Sequence, residues 1–176
     1  MNFKRLSREE IYRGKIFDVF RDQVELPNQQ ETQLDVVEHE PAVTIIPVGS
    51  DEKVWLIRQY RYPVGETLLE FPAGVMEGGE SPESCAAREL REEIGMGAEE
   101  IIPLGGFFLA PGYSSEYLYV FIARGLAPDA LPQDEDEFIE VVRVSVDELR
   151  TKIFEGEIRD GKTIAATYLA QPFLDA

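Results

Sequence analysis

The chain has 176 residues, of which 44% are hydrophobic, and its 34 acidic against 17 basic side chains give a formal net charge of -17. This length predicts one domain with a sizeable buried core and room for a small appendage. The acidic balance argues against binding to duplex nucleic acid, which requires a basic surface, but it allows an anionic substrate because bound cations can invert the local field.

The first ten residues, MNFKRLSREE, are charged and lack the apolar segment of a secretory signal. No apolar run approaches the length of a membrane span, so we expect no association with a membrane. The single cysteine, Cys85, rules out an intrachain disulfide. These features together predict a cytoplasmic protein.

Residues 9–40 alternate apolar and polar side chains, and this alternation predicts β-strands. We expect one extended segment over 11–21, further strands over 23–26 and 32–37, and a turn at Pro27 and Asn28. Residues 1–40 are therefore predicted to form an N-terminal β-region, and residues 41–176 the main domain.

The main domain begins with the nearly continuous apolar run 42–48, which is typical of a strand buried on both faces. The next strand, 54–61, ends in Arg58-Gln59-Tyr60-Arg61, which places cations and an aromatic ring at the edge of a sheet where a ligand could meet them. A surface salt bridge explains Arg61 equally well. A short strand over 68–74 then leads into a glycine-rich loop.

A helix is predicted after this loop. Ser81 is a suitable N-cap, Pro82 fits the first helical position, and Gly95 can adopt the left-handed conformation that ends a helix. Glu89 and Glu93 lie one turn apart on one stripe, with Glu92 beside them. Like charges at this spacing repel, and a Mg²⁺ ion bound by carboxylate oxygens would resolve the conflict. A solvated acidic face is the alternative interpretation.

The loop and helix together resemble the Nudix motif, Gly-x5-Glu-x7-Arg-Glu-U-x-Glu-Glu-x-Gly-U, in which U is a bulky apolar residue. All nine defined positions match: Gly74, Glu80, Arg88, Glu89, Leu90, Glu92, Glu93, Gly95 and Met96. The resemblance implies a hydrolase of nucleoside diphosphates linked to another group. It also implies an α/β fold, namely an α/β/α sandwich with a mixed sheet and an N-terminal antiparallel β-extension.

The resemblance further implies the metal site and part of the catalytic set. Glu89, Glu93 and Glu92 would hold Mg²⁺, or Mn²⁺ as the alternative, together with the carbonyl oxygen of Ala73. Arg88 and Glu92 belong to the predicted catalytic set, and we expect Arg88 to orient carboxylates with Glu80 as its partner.

The N-terminal β-region is similar to that of ADP-ribose pyrophosphatases within the Nudix family. There it mediates a two-fold dimer and lends side chains to the substrate pocket of the partner subunit, so we expect a homodimer. A meander that packs only on its own chain is the alternative. Arg61 corresponds to a substrate-binding arginine of this subgroup, and the predicted substrate-binding set is Arg61, Glu70, Pro111 and Tyr113.

Beyond the motif, strands are predicted over 101–109 and 117–123, and they flank a loop in which Pro111 matches a proline that marks the ADP-ribose subgroup. The acidic run 134–137 precedes a strand over 138–144, and two helices follow, over 145–155 and 160–170. Comparable acidic loops carry a glutamate that acts as general base or metal ligand. Glu137 is the closest match, and Glu135 is the alternative.

The resemblance predicts Mg²⁺-dependent hydrolysis of ADP-ribose to AMP and ribose 5-phosphate. A pyrophosphatase of nucleotide sugars such as GDP-mannose or UDP-glucose is the first alternative, because the motif specifies diphosphate chemistry and not the linked group. A non-catalytic ADP-ribose sensor is the second, and the intact set of three glutamates argues against it.

Overall fold

A computed structural model describes residues 2–133 and 137–175 and shows a mixed α/β protein. The chain forms two compact units, Met1–Pro41 with Phe108–Tyr117 and Ala42–Phe107 with Leu118–Ala176. None of the helices in these described ranges is long and apolar enough to cross a membrane. The strands are β1 Lys4–Arg13, β2 Phe17–Glu25, β3 Glu31–His39, β4 Ala42–Pro47, β5 Val54–Arg61, β6 Glu66–Glu70, β7 Ala73–Val75, β8 Met96–Gly97, β9 Glu100–Phe108, β10 Tyr117–Arg124, β11 Ala127–Pro128 and β12 Ile139–Val144, and the helices are α1 Pro82–Glu93, α2 Val146–Phe154 and α3 Gly161–Leu174.

The first unit contains an antiparallel sheet with strand order β1-β2-β3. The predicted continuous extension over 11–21 is wrong, because the chain reverses between Arg13 and Phe17. The N–H of Gly14 donates to the carbonyl of Phe17 at 3.1 Å, and a Cβ atom at Gly14 would lie 2.6 Å from that oxygen. Glycine is therefore needed where this hairpin turns.

The second unit is built on a mixed sheet of order β7-β4-β10-β9, in which β4 runs parallel to β10 and antiparallel to β7. All six residues of β4 are buried, as its apolar run predicts. Successive residues of a strand point to opposite faces. Accordingly, Ile45 packs in the cluster that contains Leu90 of α1, and Ile46 packs in the cluster that contains Ala166 of α3. The sheet thus has a helix on each face.

A second, antiparallel sheet has the order β12-β5-β6, and β8 pairs with β11. The single strand predicted over 68–74 is wrong: β6 pairs with β5, whereas β7 pairs with β4 in the other sheet. The break falls at Phe71 and Pro72, since proline has no N–H with which to continue a ladder. This break carries the chain from one sheet to the other immediately before the motif.

Candidate active site

Helix α1 carries the three glutamates of the motif. The side chain of Ser81 accepts a hydrogen bond from the Ser84 N–H at 3.1 Å, Pro82 is the first helical residue, and Gly95 has a φ of 69° just beyond the end. These caps are the predicted ones. The apolar side chains Ala86 and Leu90 of the helix pack in one cluster with Ile45 of β4. Glu89 and Glu93 face the backbone of β7.

Gly74 in β7 is the point where the backbone comes closest to Glu89. A Cβ atom built on Gly74 would lie 1.8 Å from Oε1 of Glu89, so the Glu89 carboxylate occupies the space of the missing side chain. A larger residue at this position would displace the carboxylate. Gly74 lies within strand β7, so glycine is required there by the close approach of the Glu89 carboxylate and not by a turn.

Glu93 is 1% exposed and Glu89 is 7% exposed. The N–H of Ala73 donates to Oε2 of Glu93 at 2.9 Å. Burial raises the pKa of Glu93 well above its ordinary value, and the neighbouring charge of Glu89 adds to this effect. Burial also raises the pKa of Glu89 to about 7, against the opposing influence of Arg88. Both carboxylates are thus poorly compensated when ionised, which favours binding of a cation.

Arg88 links the acidic side chains of the site. Its Nη1 donates to Glu89 at 2.7 Å and to Glu92 at 2.8 Å, while Nε and Nη2 each donate to Glu80 at 3.1 Å. Arg88 holds the pKa of Glu80 below its ordinary value. The predicted Arg88–Glu80 contact is therefore confirmed, and this pair positions Arg88 against the two helical glutamates.

The chemistry of these donors fits a hard divalent cation, because carboxylate and carbonyl oxygens are the ligands that Mg²⁺ prefers. The predicted ligands Glu89, Glu92, Glu93 and Ala73 lie on α1 and the adjoining β7. With their side chains placed as they are, no group of three or more acidic, histidine or cysteine side chains within 2–133 and 137–175 forms a ready-made metal site. Arg88 occupies oxygens of Glu89 and Glu92 that a cation would use.

Glu137 lies close enough to the helix for its charge to raise the pKa values of Glu89 and Glu93. It also lines an open cavity of about 560 Å³ together with Tyr60, Gln133 and Phe138. A carboxylate in this position could accept a proton near the buried pair. Glu135, the alternative base, lies outside the described residues.

Arg61 and Glu70 contact each other. Nε and Nη2 of Arg61 donate to the two carboxylate oxygens of Glu70 at 2.9 and 2.8 Å, and Glu70 is 1% exposed. Lys162, which the sequence reasoning missed, also binds Glu70. One signal for it exists in the sequence, since a lysine in the first turn of a helix opposes the helix dipole and needs an acidic partner.

Pro111 and Tyr113 belong to the segment 108–117 of the first unit. There the carbonyl of Tyr113 accepts a hydrogen bond from the N–H of Val37 at 2.8 Å, and its side chain is exposed. Their assignment to the substrate-binding set stays a prediction.

Comparison with known protein families gives two matches. Residues 38–167 match the model of the NUDIX domain, and residues 3–33 match the nucleoside diphosphate sugar hydrolase N-terminal domain.

Individual proteins give the same picture over nearly the whole chain. An ADP-ribose pyrophosphatase of Bacillus subtilis (strain 168) is 35% identical over 170 residues, which are 96% of this chain and 92% of that protein. A methanol dehydrogenase activator of Bacillus methanolicus is 36% identical with the same coverage of both chains. A solved structure described as an ADP compounds hydrolase superposes with a TM-score of 0.90 at 27% identity, and the match covers 99% of this chain and 95% of that one.

Proposed function

Since this chain belongs to the Nudix hydrolase family, we propose that it hydrolyses the pyrophosphate bond of ADP-ribose, with Mg²⁺ or Mn²⁺, to AMP and ribose 5-phosphate. The observation that carries this proposal is the pair of buried glutamates, Glu89 and Glu93, packed against the backbone of Ala73 and Gly74. The ADP-ribose pyrophosphatase of Bacillus subtilis, similar over 96% of the chain, supports the choice of substrate.

Each residue of the site has a separate task in this proposal. A bound divalent cation supplies positive charge to the diphosphate and lowers the pKa of an attacking water. Glu89, Glu92 and Glu93, with the carbonyl of Ala73, would hold it. Arg88 orients the carboxylates of Glu89 and Glu92, and the Ala73 N–H orients Glu93.

The remaining groups act on the substrate and the water. Arg61 binds the negative charge of the diphosphate. The oxygen of the water attacks one phosphorus atom while Glu137 accepts a proton from that water. The bond between this phosphorus and the bridging oxygen breaks. The bridging oxygen stays with the other phosphorus atom, which leaves as the second phosphate product.

The test is turnover of ADP-ribose by the wild type and by Glu93→Gln, which keeps the shape of the side chain and removes its charge. We expect the kcat of the variant to fall by at least about a thousandfold, because a neutral amide is a much weaker ligand of a divalent cation than a carboxylate is. Glu83→Gln makes the same change on an exposed residue of the same helix and should keep wild-type kcat. A folded Glu93→Gln protein with wild-type turnover would refute the site.

Thermal melting tests the cation independently of turnover. A ligand that binds only the folded state raises Tm by mass action. Millimolar Mg²⁺ should therefore raise the Tm of the wild type and of Glu83→Gln, but raise that of Glu93→Gln much less. Equal shifts in all three proteins would mean that the cation binds elsewhere on the acidic surface.

The second candidate function is hydrolysis of another nucleotide sugar. The match of residues 3–33 to the nucleoside diphosphate sugar hydrolase N-terminal domain favours it, since that description names the wider substrate class. A turnover screen of ADP-ribose, GDP-mannose and UDP-glucose separates the two candidates. Binding of ADP-ribose without turnover would instead indicate a sensor.

A further inference from the structure

Four charged side chains alternate in sign beside the motif. Arg61 donates twice to Glu70, Glu70 also accepts from Nζ of Lys162, and Lys162 donates to Asp160 at 3.0 Å. Glu70 therefore carries two cations on one buried carboxylate. Burial by itself would raise the pKa of Glu70, but Arg61 and Lys162 together lower it below its ordinary value.

Helix α3 fixes this cluster with its first turn. Oδ2 of Asp160 accepts from the N–H of Thr163 at 2.9 Å and caps the helix, and Oγ1 of Thr163 accepts from the N–H of Phe71 at 2.9 Å. Glu70 and Phe71 are thus held, by side chain and by backbone, on the same helical turn. Lys162 is the member of that turn whose charge reaches the Glu70 carboxylate.

The two cations on Glu70 differ in accessibility. The side chain of Lys162 is 12% exposed, and that of Arg61 is 38% exposed. Nε and Nη2 of Arg61 contact Glu70, whereas Nη1 makes no hydrogen bond to any part of the chain that the structure describes. Lys162 is therefore placed to neutralise Glu70, and Arg61 is placed to meet a ligand.

We propose that Lys162 is a positioning residue, which compensates the charge of Glu70 so that Arg61, while it contacts Glu70 through Nε and Nη2, can bind the diphosphate of the substrate through Nη1. This role rests on the proposed function. Without Lys162 the cluster loses one positive charge, so the net charge of its titratable groups changes from zero to negative, and Arg61 is the cation that remains on Glu70. The Arg61 guanidinium is then held more tightly by Glu70 and attracts an anionic ligand less strongly.

The experiment compares ADP-ribose kinetics of the wild type with Lys162→Met, which keeps most of the length of the side chain and removes its charge. We expect KM to rise by about fivefold to tenfold and kcat to change by less than about twofold. Lys162 donates hydrogen bonds to Glu70 and Asp160, and it reaches Glu93 of α1 only through the longer-range effect of its charge, which lowers the pKa of Glu93. Lys162→Arg keeps the positive charge, so its KM should lie close to the wild-type value. An unchanged KM in Lys162→Met would overturn the proposal.

A matched control separates positioning from loss of stability. Ala166→Gly weakens the same helix at a buried position outside the charge cluster. It should lower Tm with KM unchanged. If it raises KM as much as Lys162→Met does, the lysine acts only through the stability of α3 and the proposal fails.

Two further measurements test the route through Arg61. The Nε–H signal of Arg61 in a ¹H–¹⁵N spectrum should move in Lys162→Met and stay in place in Ala166→Gly. In an Arg61→Ala background, Lys162→Met should add little to KM; a full additional loss would mean that Lys162 acts on the substrate directly. Absence of ADP-ribose hydrolysis by the wild type would refute the proposed function. The spectrum needs no turnover, so it would still test whether Lys162 positions Arg61.

Discussion

Glu70 and Glu93 are both 1% exposed, but their pKa values move in opposite directions. Burial raises the pKa of both residues, but at Glu70 the two cations Arg61 and Lys162 outweigh it and lower the pKa. Glu93 has a backbone N–H and a neighbouring glutamate instead of a cation, so the raising effect of burial prevails. This difference is consistent with different roles for the two residues in the proposed site. Glu70 already has two cationic partners, and its assignment to the substrate-binding set stays a prediction. Glu93 lacks a cationic hydrogen-bond partner among the described residues, as expected of a metal ligand.

Glu137 gives a prediction at the level of a single side chain. If Glu137 is the general base, Glu137→Gln should lower kcat by about 10²–10⁴-fold with little change in KM, since a proton acceptor is lost and binding groups remain. Steady-state kinetics with ADP-ribose measures this. Glu140→Gln, a nearby exposed acid on β12, is the control and should keep wild-type kcat. A loss of kcat in Glu135→Gln and not in Glu137→Gln would assign the base to Glu135.

At the scale of elements, a charged pair joins β1 to β2. Nε and Nη2 of Arg8 donate to the two carboxylate oxygens of Asp22 at 2.7 Å, and the guanidinium lies 4.4 Å from the centre of the Phe20 ring. The hydrogen bonds from Arg8 hold the pKa of Asp22 below its ordinary value, although burial opposes them. The pair therefore ties an otherwise exposed strand to its neighbour.

This pair predicts an acid-sensitive contribution to stability. Because the pKa of Asp22 is lower in the folded state, its contribution is present above the ordinary aspartate value of about 4 and is lost as the pH falls through the folded value. Asp22→Asn should lower the free energy of unfolding by about 1–2 kcal/mol at pH 7. The gap between variant and wild type should narrow below about pH 4.

Differential scanning calorimetry between pH 7 and pH 3 measures this effect. Glu10→Gln, which removes the exposed pair with Arg13 on the same strand, is the control and should change little. A gap between wild type and Asp22→Asn that is constant across the whole pH range would contradict the assignment.

At the scale of the whole molecule, we predict a homodimer formed through the N-terminal sheet. Strand β1 is an edge strand of ten residues, nearly all exposed, and it carries Leu6, Ile11 and Tyr12. Exposed edge strands with apolar side chains need a partner or a cover. Sedimentation at micromolar concentration should give twice the 19.9 kDa of one chain.

The interface is tested by placing a charge on β1. Ile11→Lys should shift the protein toward the monomer, because a lysine at the centre of an apolar contact must be desolvated. Gln33→Lys introduces the same charge at an exposed polar position of β3 and should leave the dimer intact. A monomeric wild type would overturn the predicted dimer.

The sequence by itself determined the features that depend on neighbours along the chain. The caps of α1 and the burial of β4 follow from residue types at fixed short spacings, because such residues come together wherever the helix or strand forms. The contact of Arg88 with Glu80 was predicted from the resemblance, since Glu80 lies in the loop before α1. The nine motif positions likewise identified the family. The assignments of substrate contacts, metal ligands and general base remain predictions from that resemblance.

Only the tertiary structure decided the contacts between distant segments. Glu70 and Lys162 meet because the break at Phe71 and Pro72 brings the end of β6 to the first turn of α3, and no local pattern records such a distance. Gly74 is required by the carboxylate of Glu89, which lies on the next element. Burial raises the pKa of Glu70 and of Glu93 alike, but the hydrogen bonds and charges of Arg61 and Lys162 outweigh burial at Glu70. The opposite pKa shifts therefore come from the partners that the packed fold brings to each carboxylate, since identical side chains differ only in what surrounds them.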